Sequence, residues 1–461
     1  MSAQRDVRCV VPTLAQLMAY QSVQFAEGLS AELALDPDVL HQPVGVQVEK
    51  LLYKPLLALR GSLVPIVFVI DALDECSGQL TNHGALDDAE THRIVSGLIE
   101  ALIAFSRSPV RLPVKFFITS LPETHIRDTH VSDVTFSKVL SPLNVDKQQV
   151  TADIRFYISN RLFSKPTLRA LFTENDVNAV VDLCNGLFLV AATAVQHILG
   201  AGIESAGARF NSLLNASRDG LSVGATEPLD RMYAVVMEEA AKVETDRLTA
   251  MLQILAAILS ARMPLSVSAL ADLLDLPNGQ LRASLTSLHA VVHVPDDDND
   301  VGLRTVHASF GDYLFGRASS HIRISETLGH EALAHGCFQV LRKRLYFNVL
   351  HSRSSFEPNS PLRPNSITLS LEYACLQWIY HVSTLPESFG KGRSSKGTLH
   401  LRSLSWTQRA SRTSHRADLE EKISTVLRPR LLFWLEVMSV LGQVTRAAAM
   451  LMFAASTVCH S

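Results

Sequence analysis

The sequence is short of several things. Its 461 residues hold six cysteines, Cys9, Cys76, Cys184, Cys337, Cys375 and Cys459, and no two of them form Cys-x-x-Cys. That spacing signals neither a zinc site nor a disulfide framework, so a reduced, cytoplasmic protein is expected. Net charge is small as well: 42 Lys and Arg against 45 Asp and Glu leave −3. Such a balance gives no overall pull toward nucleic acid or anionic lipid. Residues 1–19 are broken by Arg5, Asp6, Arg8 and Pro12, and lack the apolar core of a signal peptide. The most apolar tail segment, Leu431 to Ala455, carries Glu436, Gln443 and Arg446. It reads as one or two buried or partner-facing helices instead of a membrane span. What the chain does have is apolar material: 47% of residues are hydrophobic, enough for a sizeable core spread over two to four domains.

One stretch organises the remainder: Pro65-Ile66-Val67-Phe68-Val69-Ile70-Asp71-Ala72-Leu73-Asp74-Glu75-Cys76. A short, largely β-branched apolar run reads as a strand buried on both faces of a parallel sheet. It ends in carboxylates, where α/β sheets place ligand chemistry. The plain alternative is a strand running into an acidic turn. Ile94, Leu98 and Leu102 then recur at i+4 on a helix capped by Asp87 or Asp88 and reaching Phe105. A second buried strand follows over Val114 to Ser120. Thr119 and Ser120 at its end suit either a phosphate or simple capping of the strand. Elsewhere, helices are predicted over 10–30 and 44–60, a short strand over 136–140, and a helix opening at Asp153 with Ile154, Ile158 and Leu162 in register. Apolar helices carry Leu229, Met232, Val235 and Val236, then Leu252, Leu255, Ile258 and Leu259. From Pro264, two helices and a hairpin round the acidic turn Asp296 to Asp300 make a winged-helix pattern. It ends His307-Ala308-Ser309-Phe310-Gly311-Asp312-Tyr313-Leu314.

The Asp71 stretch resembles the Walker B motif of the NACHT-type (STAND-class) signalling NTPases, and most closely the fungal group with a nephrocystin-like N-terminal region. Asp153-Ile154-Arg155-Phe156-Tyr157-Ile158, the lid-like Cys184 to Ala194, and His307 to Leu314 are similar to further family segments. Leu431 to Glu436 resembles the stretch that precedes C-terminal repeats there. The implied fold is a partial parallel sheet of P-loop-NTPase type followed by a helical lid, a winged helix and more helices, mostly α overall. The implied domains are a helical N-terminal remnant over 1–62, a partial nucleotide-binding core over 63–165, a lid over 166–245 and a winged helix over 246–320. A helical extension over 321–385, a basic linker over 386–418 and a helical segment over 419–461 complete the chain.

The resemblance implies Mg²⁺ and ATP or GTP as cofactors. Asp71 would lie at the metal and Asp74 and Glu75 would be the catalytic acids. Thr119, Ser120 and His307 would contact nucleotide phosphate, His307 as a switch residue. The alternative for His307 is a histidine bonded to backbone at a strand end.

The chain departs from that family in places that matter. No Gly-x-x-x-x-Gly-Lys-Ser/Thr occurs, and the nearest imitation, Gly390 to Thr398, has the wrong spacing. Leu121 stands where many relatives have a sensor arginine, with Arg127 nearby but off-motif. Phe188 stands where relatives place a proline against adenine, and reads as a core residue. A family member truncated before Walker B, impaired in nucleotide binding and holding no cofactor is therefore one expectation. A non-catalytic scaffold that binds protein partners or itself is the alternative. Its sheet should leave unpaired backbone at the Walker B edge. Calcium is not expected, since Asp296, Asp298 and Asp300 are followed by Val301 and His307 where an EF-hand needs Gly and Glu. Specific nucleic-acid binding is not expected either, since helix 279–289 offers Arg282 as its one cation.

Overall fold

Apolar residues at helical spacing dominate this sequence, and the computed structural model is accordingly mostly helical. It describes residues 7–59, 64–76, 80–81, 84–85, 88–120, 123, 126, 147–200, 202–218, 227–242, 244–295, 302–349, 351, 366–385 and 421–458. The expected strand at 136–140, Leu121, Arg127, the acidic turn 296–300 and the basic segment 386–418 lie outside them. The chain divides into two units, Met1–Asn144 and Val145–Ser461, each with its own core.

In the first unit, the single helix expected over 10–30 is two: α1 (Val10–Gln21) and α2 (Val23–Leu35). Ser22 parts them. Its backbone is extended and its hydroxyl accepts from the Phe25 N–H at 3.2 Å, which satisfies a donor the new helix would otherwise leave unpaired. A helical run over 44–58, α3, has its middle turn Val48–Tyr53 wound as a π-helix and buries Val48, Leu51, Leu52 and Leu56. Strand β1 (Ile66–Ile70) is followed by a short antiparallel pair, β2 (Leu80–Thr81) and β3 (Gly84–Ala85). Helix α4 (Asp88–Ser106) then crosses over to β4 (Val114–Ile118), which lies parallel to β1 with Ile66 opposite Val114 and Ile70 opposite Ile118. Among the described residues β4 is the one strand neighbour of β1.

The core of this unit forms on one side of that pair. Phe68 stacks on Phe116 with centroids 5.5 Å apart, and Phe105 of α4 meets Phe116 edge-on at 5.4 Å. Burial of β1 on both faces is not found. Phe68 and Ile70 are buried, whereas Val67, Val69 and Phe117 are 59%, 60% and 53% exposed. Strand side chains alternate between faces, and among the described residues the packing lies on the α4 side. β4 is likewise half-buried, with its first, third and fifth residues inward.

The second unit opens with α5 (Lys147–Leu162), which starts six residues before Asp153. Asp153 is therefore an exposed mid-helix residue that accepts from Gln149 Nε2 at 3.2 Å, not a helix start. Ile154, Ile158 and Leu162 are buried, in the expected register. Next come α6 (Pro166–Leu171) and α7 (Glu174–Cys184), the latter opened by a reciprocal Thr173–Asp176 capping box. Asn185, at φ 47°, closes α7 and turns the chain into α8 (Phe188–Leu199). That turn carries Phe188 to the surface of the unit. It is 43% exposed and packs on the Tyr157 ring at 5.0 Å instead of entering the core.

Helices α9 (Ile203–Arg218), α10 (Pro228–Ala240) and α11 (Thr245–Ser260) follow. Then come α12 (Val267–Leu274), capped by Ser266, and α13 (Asn278–Leu285). The antiparallel pair β5 (Val292–His293) and β6 (Arg304–Thr305) is flanked by a Leu265–Leu303 bridge. A helical turn over 309–317, α14, leads to α15 (Glu326–Arg344) and α16 (Leu369–Thr384), and the last helices are α17 (Leu431–Val440) and α18 (Val444–Val458).

α15 is seated by two glycines. A Cβ on Gly329 would stand 2.2 Å from the Ala256 carbonyl oxygen of α11, and one on Gly336 would stand 2.2 Å from the Leu273 carbonyl oxygen of α12. Only a residue without Cβ allows main chains that close. Beside α15, His330 Nδ1 lies 2.9 Å from His381 Nδ1, and His381 Nε2 lies 2.8 Å from the Tyr373 hydroxyl. That hydroxyl accepts from the Arg262 N–H at 3.1 Å. Burial lowers the pKa of His330 to about 4 and pushes His381 well below the ordinary imidazole range. Cys375 is buried as expected, and its carbonyl accepts from Trp434 Nε1 at 3.1 Å. No helix among the described residues is long and apolar enough to cross a membrane.

Candidate functional site

The parallel register decides which residues meet at the carboxyl end of the sheet. Ile70 stands beside Ile118, so the next residue of each strand, Asp71 and Thr119, emerges at the same place. The Thr119 N–H donates to the Ile70 carbonyl at 3.0 Å, and the Leu73 N–H donates to the Thr119 carbonyl at 2.9 Å. The Thr119 hydroxyl donates to Asp71 Oδ1 at 2.5 Å and accepts from the Ala72 N–H at 2.8 Å. These bonds hold a strained turn. Ala72 has φ 56° and ψ 56°, a left-handed conformation that costs a non-glycine residue about 1–2 kcal/mol. Leu73, fully buried, pins the other side. The 3₁₀ turn Leu73–Glu75 then sets out Asp74, half-buried, and Glu75, whose side chain lies outside the described residues. Ser120 is exposed beside Thr119.

Asp71 and Thr119, 48 residues apart, are thus in direct contact, with Asp74, Glu75 and Ser120 next to them in the chain. Asp71 is exposed and offers oxygen ligands only. Among the described residues no three His, Cys, Asp or Glu side chains gather into a metal cluster. Mg²⁺ is commonly held by one or two carboxylates, with phosphate and water filling its octahedron. Asp71 fits that sparse role. A cavity of about 360 Å³ between α3 and α4, lined by Val48, Tyr53, Ala101 and Phe105 among others, includes none of these residues.

His307 belongs to the second unit, directly after β6. It is exposed, and its Nδ1 lies 3.2 Å from the Ser309 N–H and 2.7 Å from the Ser309 hydroxyl. The Ser309 hydroxyl in turn lies 2.9 Å from the hydroxyl of Tyr233 on α10. Phe310, Tyr313 and Leu314 of the same segment are core, and Tyr233 packs between Phe310 at 5.1 Å and Tyr313 at 5.6 Å. Further along α10, Asp230 pairs with Arg317 Nε at 2.6 Å, and Glu238 meets the Ser319 hydroxyl at 2.9 Å and His321 Nε2 at 3.0 Å. Sequence reasoning missed Tyr233 and Asp230. The available signal was two polar-tipped residues at i and i+3 on an otherwise apolar helix face.

Residues 1–120 match the family described as nephrocystin 3, N-terminal. With the relative described next, that match supports the resemblance to the fungal NACHT-class signalling proteins drawn from the motifs. It is 24% identical over 403 residues to the vegetative incompatibility protein HET-E-1 of Podospora anserina, an alignment covering 81% of this chain and 25% of that protein. The chain thus spans a quarter of the length of the curated relative it matches. No solved structure matches it.

Proposed function

We propose that the chain is a signal-transduction protein of the NACHT (STAND) class, in which the carboxyl end of β1 and β4 forms the acidic, metal-facing half of a nucleotide site. The observation that carries this reading is the Asp71–Thr119 contact, which sets a carboxylate and a hydroxyl side by side on adjacent parallel strands. In this reading Asp71 would hold Mg²⁺, which when bound neutralises phosphate charge. Asp74 or Glu75 accepts a proton from water, Ser120 donates a hydrogen bond to a phosphate oxygen, and Thr119, whose single hydroxyl proton goes to Asp71 Oδ1, orients that carboxylate beside the phosphate. His307, in the second unit at the end of a segment read as a winged helix, is taken separately as a residue suited to phosphate contact. The sequence has no Gly-x-x-x-x-Gly-Lys-Ser/Thr, so the backbone cradle and lysine that wrap phosphates are not among its residues and binding is weak. A vegetative incompatibility response is the physiological setting that the named relative suggests.

The test is isothermal titration of the purified chain with ATP and with GTP, with and without Mg²⁺. Weak Mg²⁺-dependent binding that disappears in Asp71→Ala is expected. No heat at millimolar nucleotide would sink the reading.

A second reading, a non-catalytic interaction scaffold, is favoured by the open sheet face of Val67, Val69 and Phe117. It expects self-association or partner binding that Asp71→Ala and Glu75→Gln leave intact and that Val69→Lys weakens. Loss of association with the two acid variants would count against it.

A further inference from the structure

We propose that Tyr233 and Ser309 are positioning residues for His307: they hold its ring as the Nε2–H tautomer, so that its other nitrogen is a hydrogen-bond donor to an anion of the phosphate class. The choice of phosphate rests on the reading of His307 given above. The tautomer rests on geometry alone.

A backbone amide only donates. The Ser309 N–H, 3.2 Å from His307 Nδ1, therefore makes that nitrogen an acceptor. The Ser309 hydroxyl lies 2.7 Å from the same nitrogen. It gives its single proton there and accepts from the Tyr233 hydroxyl at 2.9 Å with a lone pair. Every donor in this chain points one way, from Tyr233 through Ser309 to Nδ1. A neutral imidazole carries one N–H, which is left at Nε2. The opposite tautomer would set the Nδ1–H of the ring against the Ser309 N–H.

The relay also has a fixed origin. Tyr233 is buried between Phe310 and Tyr313, and α10 is tied to the segment after His307 by the Asp230–Arg317 and Glu238–Ser319 contacts. The outward nitrogen is thus aimed from a packed helix and not from a loop. Burial, the largest cause, raises the Tyr233 pKa, so its hydroxyl keeps the proton that the relay needs.

The test is a long-range ¹H–¹⁵N spectrum of [¹⁵N]histidine-labelled full chain at about pH 8.5, well above the ordinary imidazole range. The His307 signal is the one lost in His307→Gln. In the unmodified chain, Nδ1 is expected at the bare-nitrogen position and Nε2 at the N–H position. Ser309→Ala keeps the backbone N–H but loses the hydroxyl and should move the two part of the way toward each other, Tyr233→Phe should do so less, and Ser309→Thr should restore them. A merely structural serine would not move a tautomer ratio in a chain whose other histidine signals are unchanged. An Nδ1–H ring in the unmodified chain, or unmoved positions in both Ser309→Ala and Tyr233→Phe, would overturn the relay. Pyrophosphate added to the unmodified chain should shift Nε2. If it does not while the tautomer is as stated, the phosphate reading fails and the relay stands.

Discussion

Lowering the pH from 7.5 to 5 should destabilise the second unit through the buried histidines beside α15. The Nδ1–Nδ1 contact of His330 and His381 is a hydrogen bond only while a single proton lies between the two nitrogens. A second proton would set N–H against N–H, with Tyr373 and the cation of Arg262 close by and no acid among the described partners. The sign follows from the shifts. Both folded-state pKa values are depressed, so below the ordinary value the unfolded chain takes up protons that the folded chain refuses. Stability is fully present above about pH 6.5 and is lost as pH falls toward the folded value. For His330, with a folded value of about 4, the whole effect is roughly 3 kcal/mol, and about 2 kcal/mol of it is gone by pH 5. His381 adds in the same direction. Thermal unfolding followed by the fluorescence of buried Trp378 and Trp434 should show a midpoint about 4 °C or more lower at pH 5. The pH slope should be smaller in His330→Phe, whatever that variant's stability at neutral pH. His197, which burial also depresses, contributes equally to both proteins and cancels in the comparison. A flat midpoint from pH 7.5 to 5, or an unchanged slope in His330→Phe, would refute the reasoning.

Three further outcomes are expected. Thr119→Val removes both hydroxyl contacts of the Asp71 turn and should destabilise the first unit by about 1–3 kcal/mol in denaturant unfolding, while Thr119→Ser costs less. Arg317→Met leaves Asp230 buried without its cation and should cost roughly 3 kcal/mol, more than Asp230→Asn, which leaves only the half-exposed Arg317 cation unpaired; equal losses would speak against an ionic pair. Among the cysteines of the described residues, native alkylation at neutral pH should label exposed Cys9 first. Burial pushes the thiol of Cys184 up to about 12 and raises those of Cys337 and Cys375 above the ordinary thiol range, so these should label only on unfolding, as peptide mapping would show.

How much of this was legible from the residues depends on range. Apolar spacing located most helices, because Ile154, Ile158 and Leu162 carry their face information within a few residues of each other. Ser22, a polar residue inside an apolar run, broke the helix expected over 10–30, and its capping role was there to be read. The strand with Asp71 was recognisable, but its burial was not. Both faces of β1 are apolar, and only the tertiary neighbours show that Val67 and Val69 are open while Phe68 and Ile70 are covered. Phe188 misled for the same reason, since an aromatic at the first residue of a helix carries no sign of which side it faces. At the candidate site, Asp71 and Thr119 were named separately. Their contact comes from parallel register, a long-range property that no local pattern encodes. Tyr233 lies 74 residues before His307 and is linked to it only through Ser309, a link that packing makes.

The two glycines under α15 have a consequence for how this chain tolerates change in length. Gly329 and Gly336 are seven residues apart, close to two full helical turns, and each is matched to one carbonyl on a different neighbouring helix. Adding or deleting a single residue between them would rotate one notch by about 100° and bring a side chain against Ala256 or Leu273. A change of the same size beyond Arg344, where the helix has ended, would disturb neither seat. Chains descended from this one should therefore vary in length outside 329–336 and keep the interval itself fixed, even where the residues between the glycines differ.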